Sequence, residues 1–375
     1  MNILVAPNSF KECTDSVEIS KIIKSNISGN NHNLFINPLS DGGDGFLKTY
    51  KFNNQTKTLT YLIKNNYGDI LNKYKVIYDD KSKRTLVESA ELFGLKIVPR
   101  SKLNPLLLNS EILGTLLKLL NQDVQNEKIE VDEVLIGIGG TATIDMGIGA
   151  CSQIGFNLYN ENGEMLEAIP GNFNNAKKYV FRETRLDFKV KCIVDVDTKL
   201  IDYPGAIEIY GKQKGATNSD LKIIKDGIIN ILSLVKKNNP SLNIEDLNGA
   251  GGGLATGLNL FFNAEIIQAK DFVNDYLLKN VKVDSIDAVI TGEGNFDFQS
   301  FEGKGVGVIL DIFRSKSIPI FIICGNSNLP GHISLPSNIK IIRLIDFFET
   351  KDEAMRNYKL GIEKAVEIIK NQLKN

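Results

Sequence analysis

Short apolar runs alternate with helical patterns at both ends of the chain. The helical pattern at about 15–27 begins at Asp15, and Glu18 stands at the capping-box spacing from it. Continuous apolar runs bounded by polar residues are typical of parallel strands that are buried on both faces. The runs of this kind are NILVAP (2–7), NLFINPL (33–39), SIDAVITGEG (285–294), IPIFIICGN (318–326) and IKIIRLID (339–346). Both chain ends therefore predict parallel α/β structure, which an amphipathic helix closes at about 351–373.

The middle of the chain has a different pattern. From about 56 to 90, apolar and polar positions alternate in three short runs, which predicts antiparallel or mixed sheet. The segment 155–166 predicts a hairpin around Asn162 and Gly163. Buried strands are predicted at 131–140 and 188–197, and helices near 108–121, 218–237 and 254–279.

The simplest architecture is one domain that both chain ends form and that a second domain interrupts. We predict an α/β fold in which a Rossmann-like parallel-sheet domain comprises residues 1–60 plus 280–375. An inserted mixed-sheet α/β domain comprises residues 61–279, of which the helix and strand of 106–145 could pack with the first domain. The length of 375 residues supports two domains, because single cores rarely grow beyond about 250 residues.

Composition and charge disfavour several functions. The net charge of −1 gives no basic excess for nucleic acid, and no apolar run approaches the roughly 18 residues of a membrane span. The start of the sequence lacks the pattern of a signal peptide, so we expect a cytoplasmic protein. His32 and His332 are isolated and the four cysteines are far apart, which disfavours a histidine or thiolate metal site and a Ser-His-Asp triad.

Six segments, of which all but the first contain glycine, carry the candidate chemistry, and most of them follow a predicted strand. They are PNSFKEC (7–13), LSDGGDG (39–45), GIGGTATID (137–145), YGKQKGAT (210–217), GAGGG (249–253) and TGEGNFD (291–297). Glycine lets backbone N–H groups approach an anion closely, and such amides bind phosphate oxygens. Carboxylates together with substrate phosphates suit Mg²⁺, and lysine supplies positive charge for phosphate. The set therefore predicts a site for phosphate, Mg²⁺ and a small polar substrate at the carboxyl ends of strands.

Known nucleotide motifs fit these segments incompletely. No segment has the spacing of a P-loop. Gly137, Gly139 and Ala142 match the dinucleotide fingerprint G-x-G-x-x-A after a strand, so an NAD(P)-dependent oxidoreductase of a small hydroxy acid stays an alternative. Against it, the region about 20 residues further on is a predicted hairpin without a strand that ends in an acidic residue. A non-catalytic sensor of a hydroxy acid is a third alternative.

In their order along the chain, these segments resemble the type I glycerate kinase family over nearly the whole sequence. The motifs that carry the resemblance are APNSFKEC (6–13), SDGGDG (40–45), NPLLLNSEILG (104–114), GIGGTATIDMGIGA (137–150), DVD (195–197), YGKQKGA (210–216), GAGGGLATGL (249–258) and TGEGNFDFQSFEGK (291–304). The chain departs from the family pattern at Ile144, Thr198, Lys199 and Phe298.

The resemblance implies a kinase that transfers the γ-phosphoryl group of ATP to D-glycerate with Mg²⁺. It also implies transfer to the 2-hydroxyl, which gives 2-phosphoglycerate, and a Rossmann-like domain interrupted by a mixed-sheet domain. The expected partners are glycerate and ATP, without nucleic acid or membrane, in a monomer or homodimer.

Roles follow from side-chain chemistry. Asp195 and Asp197 share one face of a strand, so they would hold Mg²⁺ or supply a general base. Asp41 and Asp44 would hold Mg²⁺, or Asp41 would fix the glycine loop through an Asx-turn, and Asp145 would orient its own loop. The predicted catalytic residues are Asp195, Lys11 and Asp297, and the predicted metal ligands are Asp195, Asp197 and Asp44. The predicted substrate contacts are Ser9, Asp41, Gly42, Gly43, Gln213, Lys214 and Glu293. The predicted phosphate and nucleotide contacts are Gly139, Gly140, Thr141, Gly251, Gly252 and Lys304. The region of Arg84 and Glu88 is interpreted as structural.

Overall fold

The computed structural model describes residues 1–373 apart from positions 12, 28–31, 66, 68–69, 183, 196–197, 302–304 and 330–334, and apart from the side chain of Gln299. The chain forms two compact units. The first, here called the terminal unit, comprises Met1–Asp41, Lys48–Gln55 and Ala269–Asn375. The second, the inserted unit, comprises Gly42–Leu47 and Thr56–Gln268.

The strands and helices of the described residues are numbered in chain order. The strands are β1 (Asn2–Pro7), β2 (Asn33–Ile36), β3 (Lys57–Lys64), β4 (Leu71–Asp79), β5 (Arg84–Glu88), β6 (Glu133–Gly137), β7 (Phe156–Tyr159), β8 (Met165–Leu166), β9 (Lys178–Phe181), β10 (Lys189–Val194), β11 (Glu265–Gln268), β12 (Ala288–Phe296), β13 (Ile320–Ser327) and β14 (Ile339–Arg343). The helices are α1 (Ser16–Ile27), α2 (Phe46–Asn53), α3 (Ser89–Phe93), α4 (Glu111–Gln125), α5 (Ile148–Ser152), α6 (Ala206–Gly211), α7 (Asn218–Asn238), α8 (Ala250–Phe262), α9 (Ala269–Phe272), α10 (Gly305–Phe313), α11 (Lys351–Arg356) and α12 (Tyr358–Leu373).

The terminal unit contains a parallel sheet with the strand order β14-β13-β12-β1-β2. The central strands are buried along nearly their whole length, as expected of a parallel sheet that helices cover on both faces. Helices α1 and α12 pack on one face through a shared apolar cluster that includes Ile19, Ile23, Ile362 and Val366. Asp15 accepts a hydrogen bond from the Glu18 N–H at 3.0 Å, so the predicted start of α1 is confirmed.

The inserted unit contains a mixed sheet with the strand order β11-β10-β6-β5-β4-β3. Strands β3, β4 and β5 pair antiparallel, whereas β5, β6, β10 and β11 pair parallel. A smaller antiparallel sheet has the order β8-β7-β9, and the predicted hairpin around Asn162 and Gly163 joins β7 to β8. The predicted fold class is confirmed, because both chain ends build the parallel sheet and the insertion builds the mixed one.

The helix predicted at 254–279 is wrong. Helix α8 ends at Phe262, and the next residue, Asn263, has left-handed backbone with φ of 52°. Residues 265–268 then form β11, whose Ile266 and Ile267 pair with β10. A partner strand distant in the chain therefore overrides the local helical pattern. Separately, none of the helices in the described residues is long and apolar enough to cross a membrane.

Candidate active site

A cavity of about 520 Å³ lies in the terminal unit, where β1, β12 and β13 end. Five residues that were predicted from the sequence line it: Ser9, Lys11, Asp41, Glu293 and Asp297. They come from three distant parts of the chain and lie together because the carboxyl ends of parallel strands meet at one edge of a sheet. These five side chains therefore combine an ammonium group, a hydroxyl group and three carboxyl groups, and Lys351 adds a second ammonium group to the lining.

Backbone packing holds the loop after β1 against the end of β12. The Asn8 N–H donates to the Gly292 carbonyl at 2.8 Å, and the buried Thr291 hydroxyl donates to the Ala6 carbonyl at 2.7 Å. A Cβ atom on Gly294 would lie 3.2 Å from the backbone nitrogen of Lys11, so a larger residue at position 294 would crowd the contact between the two main chains. Main-chain contacts therefore determine where Lys11 lies. A substitution of the Lys11 side chain leaves these contacts in place.

The second group of predicted residues belongs to the inserted unit, at the carboxyl ends of β6 and β10. Gly42 has φ of +88°, and a Cβ atom there would lie 3.0 Å from the Ile193 carbonyl oxygen. A Cβ atom on Gly139 would lie 2.7 Å from the Gly43 Cα atom. The segment 42–47, here called the first glycine loop, therefore lies directly against residues 137–140.

Residues 138–147, here called the second glycine loop, follow β6 and are fixed by two buried ionisable groups. Asp145 accepts hydrogen bonds from the N–H and hydroxyl groups of Ser110 at 2.8 and 2.7 Å, and from the Gly149 N–H at 3.0 Å. Burial raises the pKa of Asp145, and these donors oppose the rise. The carboxylate therefore ties the second glycine loop to the residues at the start of α4 and α5.

Lys214 is the second of these groups. Its side chain is only 4% exposed and donates to the Thr141 hydroxyl at 3.1 Å and the Thr143 carbonyl at 2.8 Å. Burial lowers the pKa of Lys214 to about 7, while the charge of Asp145 acts in the opposite direction. Its neighbour Gln213 is exposed. Lys214 thus contacts the loop that carries Thr141.

Gly251 and Gly252 lie at the start of α8, where Gly251, Gly252 and Gly253 all have positive φ angles of 64°, 72° and 84°. A Cβ atom on Gly252 would lie 2.2 Å from the Thr143 carbonyl oxygen, and the Gly252 carbonyl accepts a hydrogen bond from the Met146 N–H. The two glycine-rich segments that were predicted to bind phosphate therefore pack against each other.

The predicted metal ligands are only partly described. Asp195 directly follows β10 in the inserted unit, whereas Asp197 and the predicted phosphate contact Lys304 lie outside the described residues. Asp44 forms an ion pair with Lys96. Among the described residues, no group of three or more histidine, cysteine, aspartate and glutamate side chains could hold a metal ion. Mg²⁺ in proteins is usually bound through one or two carboxylates together with substrate phosphates.

The structural context of a dinucleotide fingerprint is absent from residues 137–148, all of which are described. Strand β6 is followed by the second glycine loop, and α5 begins only at Ile148. The fingerprint needs a helix N-terminus directly after the glycines to receive the pyrophosphate. In addition, the Gly42 carbonyl oxygen would lie 2.5 Å from a Cβ atom on Gly137, so the first glycine loop covers this turn.

Glu88, the last residue of β5, and Ser89, the first residue of α3, were not predicted as site residues, yet Glu88 contacts residues 42–47 and Ser89 contacts residues 137–139. Glu88 accepts hydrogen bonds from the N–H groups of Gly45 and Leu47, and Ser89 donates to the Gly137 carbonyl. The available signal was a carboxylate, Glu88, at the end of the short predicted strand that contains Leu86 and Val87.

The chain combines an interrupted α/β fold with lysine and carboxylates at strand ends and with packed glycine loops, which are the features that the sequence analysis associated with a small-molecule phosphotransferase. Residues 3–374 match the sequence model of the glycerate kinase family. The chain belongs to this family, and the resemblance predicted from the motifs is confirmed.

Individual relatives agree over nearly the full length. A glycerate kinase of Neisseria meningitidis serogroup B is 30% identical over 375 residues, which covers 97% of this chain and 96% of that protein. A glycerate 2-kinase of Escherichia coli is 27% identical, with 95% and 93% covered. A crystal structure described as a glycerate kinase 2 from Salmonella typhimurium has a TM-score of 0.76 at 22% identity, with 100% and 99% covered, and supports the fold.

Proposed function

We propose that the protein transfers the γ-phosphoryl group of ATP to the 2-hydroxyl of D-glycerate and forms 2-phosphoglycerate. Membership of the glycerate kinase family supports the reaction, and the name of the Escherichia coli relative, glycerate 2-kinase, supports the product. The observation that carries the proposal is the cavity of the terminal unit, which brings Lys11, Asp41 and Glu293 together.

This cavity suits a small hydroxy acid. A substrate carboxylate is bound best by an ionised donor, and Lys11 supplies one. Carboxylates accept hydrogen bonds from hydroxyl groups, so Asp41, Glu293 and Asp297 suit the two hydroxyls of glycerate. Ser9 adds a hydroxyl that both donates and accepts. We propose these five residues as the glycerate site.

The nucleotide phosphates are proposed to bind at the glycine loops of the inserted unit. Gly139, Gly140 and Thr141 offer backbone N–H groups and a hydroxyl, and Gly252 packs against Thr143 and Met146 of the same loop. Lys214 then acts by fixing Thr141. The exposed Gln213 stays a proposed direct contact, and Lys304, which lies outside the described residues, stays one on the sequence alone.

The residues present fit a Mg²⁺ ion bound mainly through ATP. We propose Asp195 and Asp197 as its protein ligands, because Asp44 is engaged by Lys96. When bound, Mg²⁺ neutralises charge on the phosphate oxygens. Asp195 is alternatively the base that accepts the proton of the attacking hydroxyl, which is the role that the mutation described in the Discussion tests.

Product analysis tests the proposal. Purified protein is incubated with MgATP and D-glycerate, ADP release is followed by a coupled assay, and the product is identified by ³¹P NMR against 2- and 3-phosphoglycerate. We expect turnover with D-glycerate and the 2-phosphate product. Formation of 3-phosphoglycerate would overturn the regiochemistry, and binding of glycerate without turnover would favour the sensor alternative.

A further inference from the structure

The end of β5 contacts the first glycine loop through a buried carboxylate. Glu88 is 4% exposed, and its two oxygens accept hydrogen bonds from the Gly45 N–H at 2.9 Å and the Leu47 N–H at 3.1 Å. These donors are main-chain groups at the beginning of α2, which starts at Phe46. Glu88 therefore holds the backbone of the loop that carries Gly42, Gly43 and Asp44.

The next residue contacts the second glycine loop. Ser89 is fully buried, and its hydroxyl donates to the Gly137 carbonyl at 2.7 Å, with the Gly139 carbonyl 3.3 Å away. Two main-chain hydrogen bonds continue the contact, from Leu95 N–H to the Gly140 carbonyl and from Ala142 N–H to the Phe93 carbonyl, both at 2.9 Å. Residues 88–95 thus contact both loops at once.

The two loops leave each other almost no free space. A methyl group on Gly139 would come within 2.7 Å of Gly43 Cα, and one on Gly137 within 2.5 Å of the Gly42 carbonyl oxygen. A shift of either loop by a fraction of an ångström would therefore be transmitted to the other. The segment that contacts both loops determines their common position.

We propose that Glu88 and Ser89 are positioning residues of the phosphotransfer site, which hold the two glycine loops in the arrangement that binds phosphate. This inference rests on the proposed nucleotide site of the inserted unit. Neither side chain acts on the substrate, and both act through the backbone of residues 42–47 and 137–140.

The chemistry of Glu88 supports a positioning role. A carboxylate in a buried position is costly, and here burial raises the pKa of Glu88 to about 7, with two amide donors opposing the rise. The negative charges of Glu91 and Asp44 raise this pKa further. A group that only filled space would be apolar at this position. The two N–H groups require two acceptor oxygens, which a carboxylate supplies. A glutamine side chain has only one such oxygen, and its NH₂ group would face one of the two N–H donors.

The test compares Glu88→Gln, Glu88→Asp and Ser89→Ala with Tyr61→Phe as a matched control. Tyr61 donates its hydroxyl hydrogen bond to Asp123 at 2.9 Å in the same unit and contacts neither loop through it. Each variant is measured for melting temperature, for kcat and KM with MgATP and D-glycerate, and for hydrogen–deuterium exchange of a peptide that covers residues 42–47.

We expect Glu88→Gln to lower kcat/KM by about tenfold or more, since small displacements of positioned groups can cost up to about 10²-fold. Glu88→Asp should also lower kcat/KM, but by less than Glu88→Gln, and Ser89→Ala should lower it by a smaller factor. Hydrogen–deuterium exchange in residues 42–47 should be faster than in wild type in both Glu88 variants. Tyr61→Phe should lower the melting temperature but change kcat/KM less than twofold.

Equal kcat/KM in wild type and folded Glu88→Gln, with unchanged exchange in residues 42–47, would overturn the inference. Should Glu88→Gln not fold, the same decision is made with Ser89→Ala and Glu88→Asp. A wild-type protein that fails to phosphorylate glycerate would contradict the proposed function alone, because faster exchange of the first glycine loop in the variants would still be measurable.

Discussion

Lys214 places its ammonium group against Thr141, which lies 73 residues earlier in the chain, although the lysine side chain is only 4% exposed. The contact joins the 3-10 turn Lys212–Lys214, which follows α6, to the second glycine loop, and the Thr143 carbonyl accepts a further hydrogen bond from the same nitrogen. A buried cation with two neutral oxygen acceptors is an uncommon arrangement, since the charged form loses its hydration. Its consequences are measurable as a dependence of stability on pH.

Lys214→Met should remove a pH dependence of stability that wild type has. The pKa of Lys214 is lowered from 10.5 to about 7 in the folded protein, so between these values the unfolded chain binds a proton that the folded protein does not. Wild-type stability relative to the variant should therefore rise with pH above about 7, by at most about 1.4 kcal/mol per pH unit, and stay constant at lower pH. Urea unfolding of both proteins from pH 6 to 9 measures this difference. A difference that is flat over the whole range would contradict a lowered pKa.

Asp195→Asn should lower kcat by at least about 10²-fold, which is the usual contribution of a general acid or base. The amide keeps the size of the side chain but loses the charge that a proton or a metal ion requires. The measurement is steady-state turnover with MgATP and D-glycerate, and Asp226→Asn, at an exposed position on α7, is the control that should keep full activity. Little loss in Asp195→Asn would remove this residue from the chemistry.

Lys11→Met should raise KM for D-glycerate by about 10- to 100-fold, because a hydrogen bond from a charged group contributes about 1.5 to 3 kcal/mol. KM for ATP should change much less. The control is Lys316→Met, which removes an ion pair with the exposed Asp284 in the same unit. A rise in KM for ATP instead of glycerate would reassign Lys11 to a phosphate group of the nucleotide.

Gly252→Ala should destabilise the protein far more than Gly163→Ala, although both glycines have similar positive φ angles of +72° and +80°. The new methyl group at position 252 would lie 2.2 Å from the Thr143 carbonyl oxygen, whereas nothing lies within 4 Å at position 163. We expect about 1–2 kcal/mol for Gly163→Ala from backbone strain alone, and more than about 3 kcal/mol for Gly252→Ala. Chemical denaturation of the two variants makes the comparison, and equal losses would show that the contact with Thr143 relaxes freely.

Local patterns predicted the elements whose stability is local. Continuous apolar runs identified β1 and β12, and the spacing of Asp15 and Glu18 located the start of α1, because burial on both faces and helix capping leave a direct trace in neighbouring residues. The pattern failed at 254–279, where pairing of β11 with β10 outweighed helical periodicity. The glycine segments were identified as candidate loops for the same local reason, since turns after strands need flexible residues.

The residues of the chain alone were sufficient for the α/β class, for the interruption of the parallel sheet by an insertion, and for the family, because apolar periodicity and ordered motifs are written in consecutive positions. Strand order and loop contact are different in kind. Lys214 donates to Thr141, Glu88 accepts a hydrogen bond from the Gly45 N–H, and Gly43 lies against Gly139. Each of these contacts requires that segments tens of residues apart in the chain come within a few ångströms of each other. No periodicity encodes such distances, so only packing in three dimensions decided them.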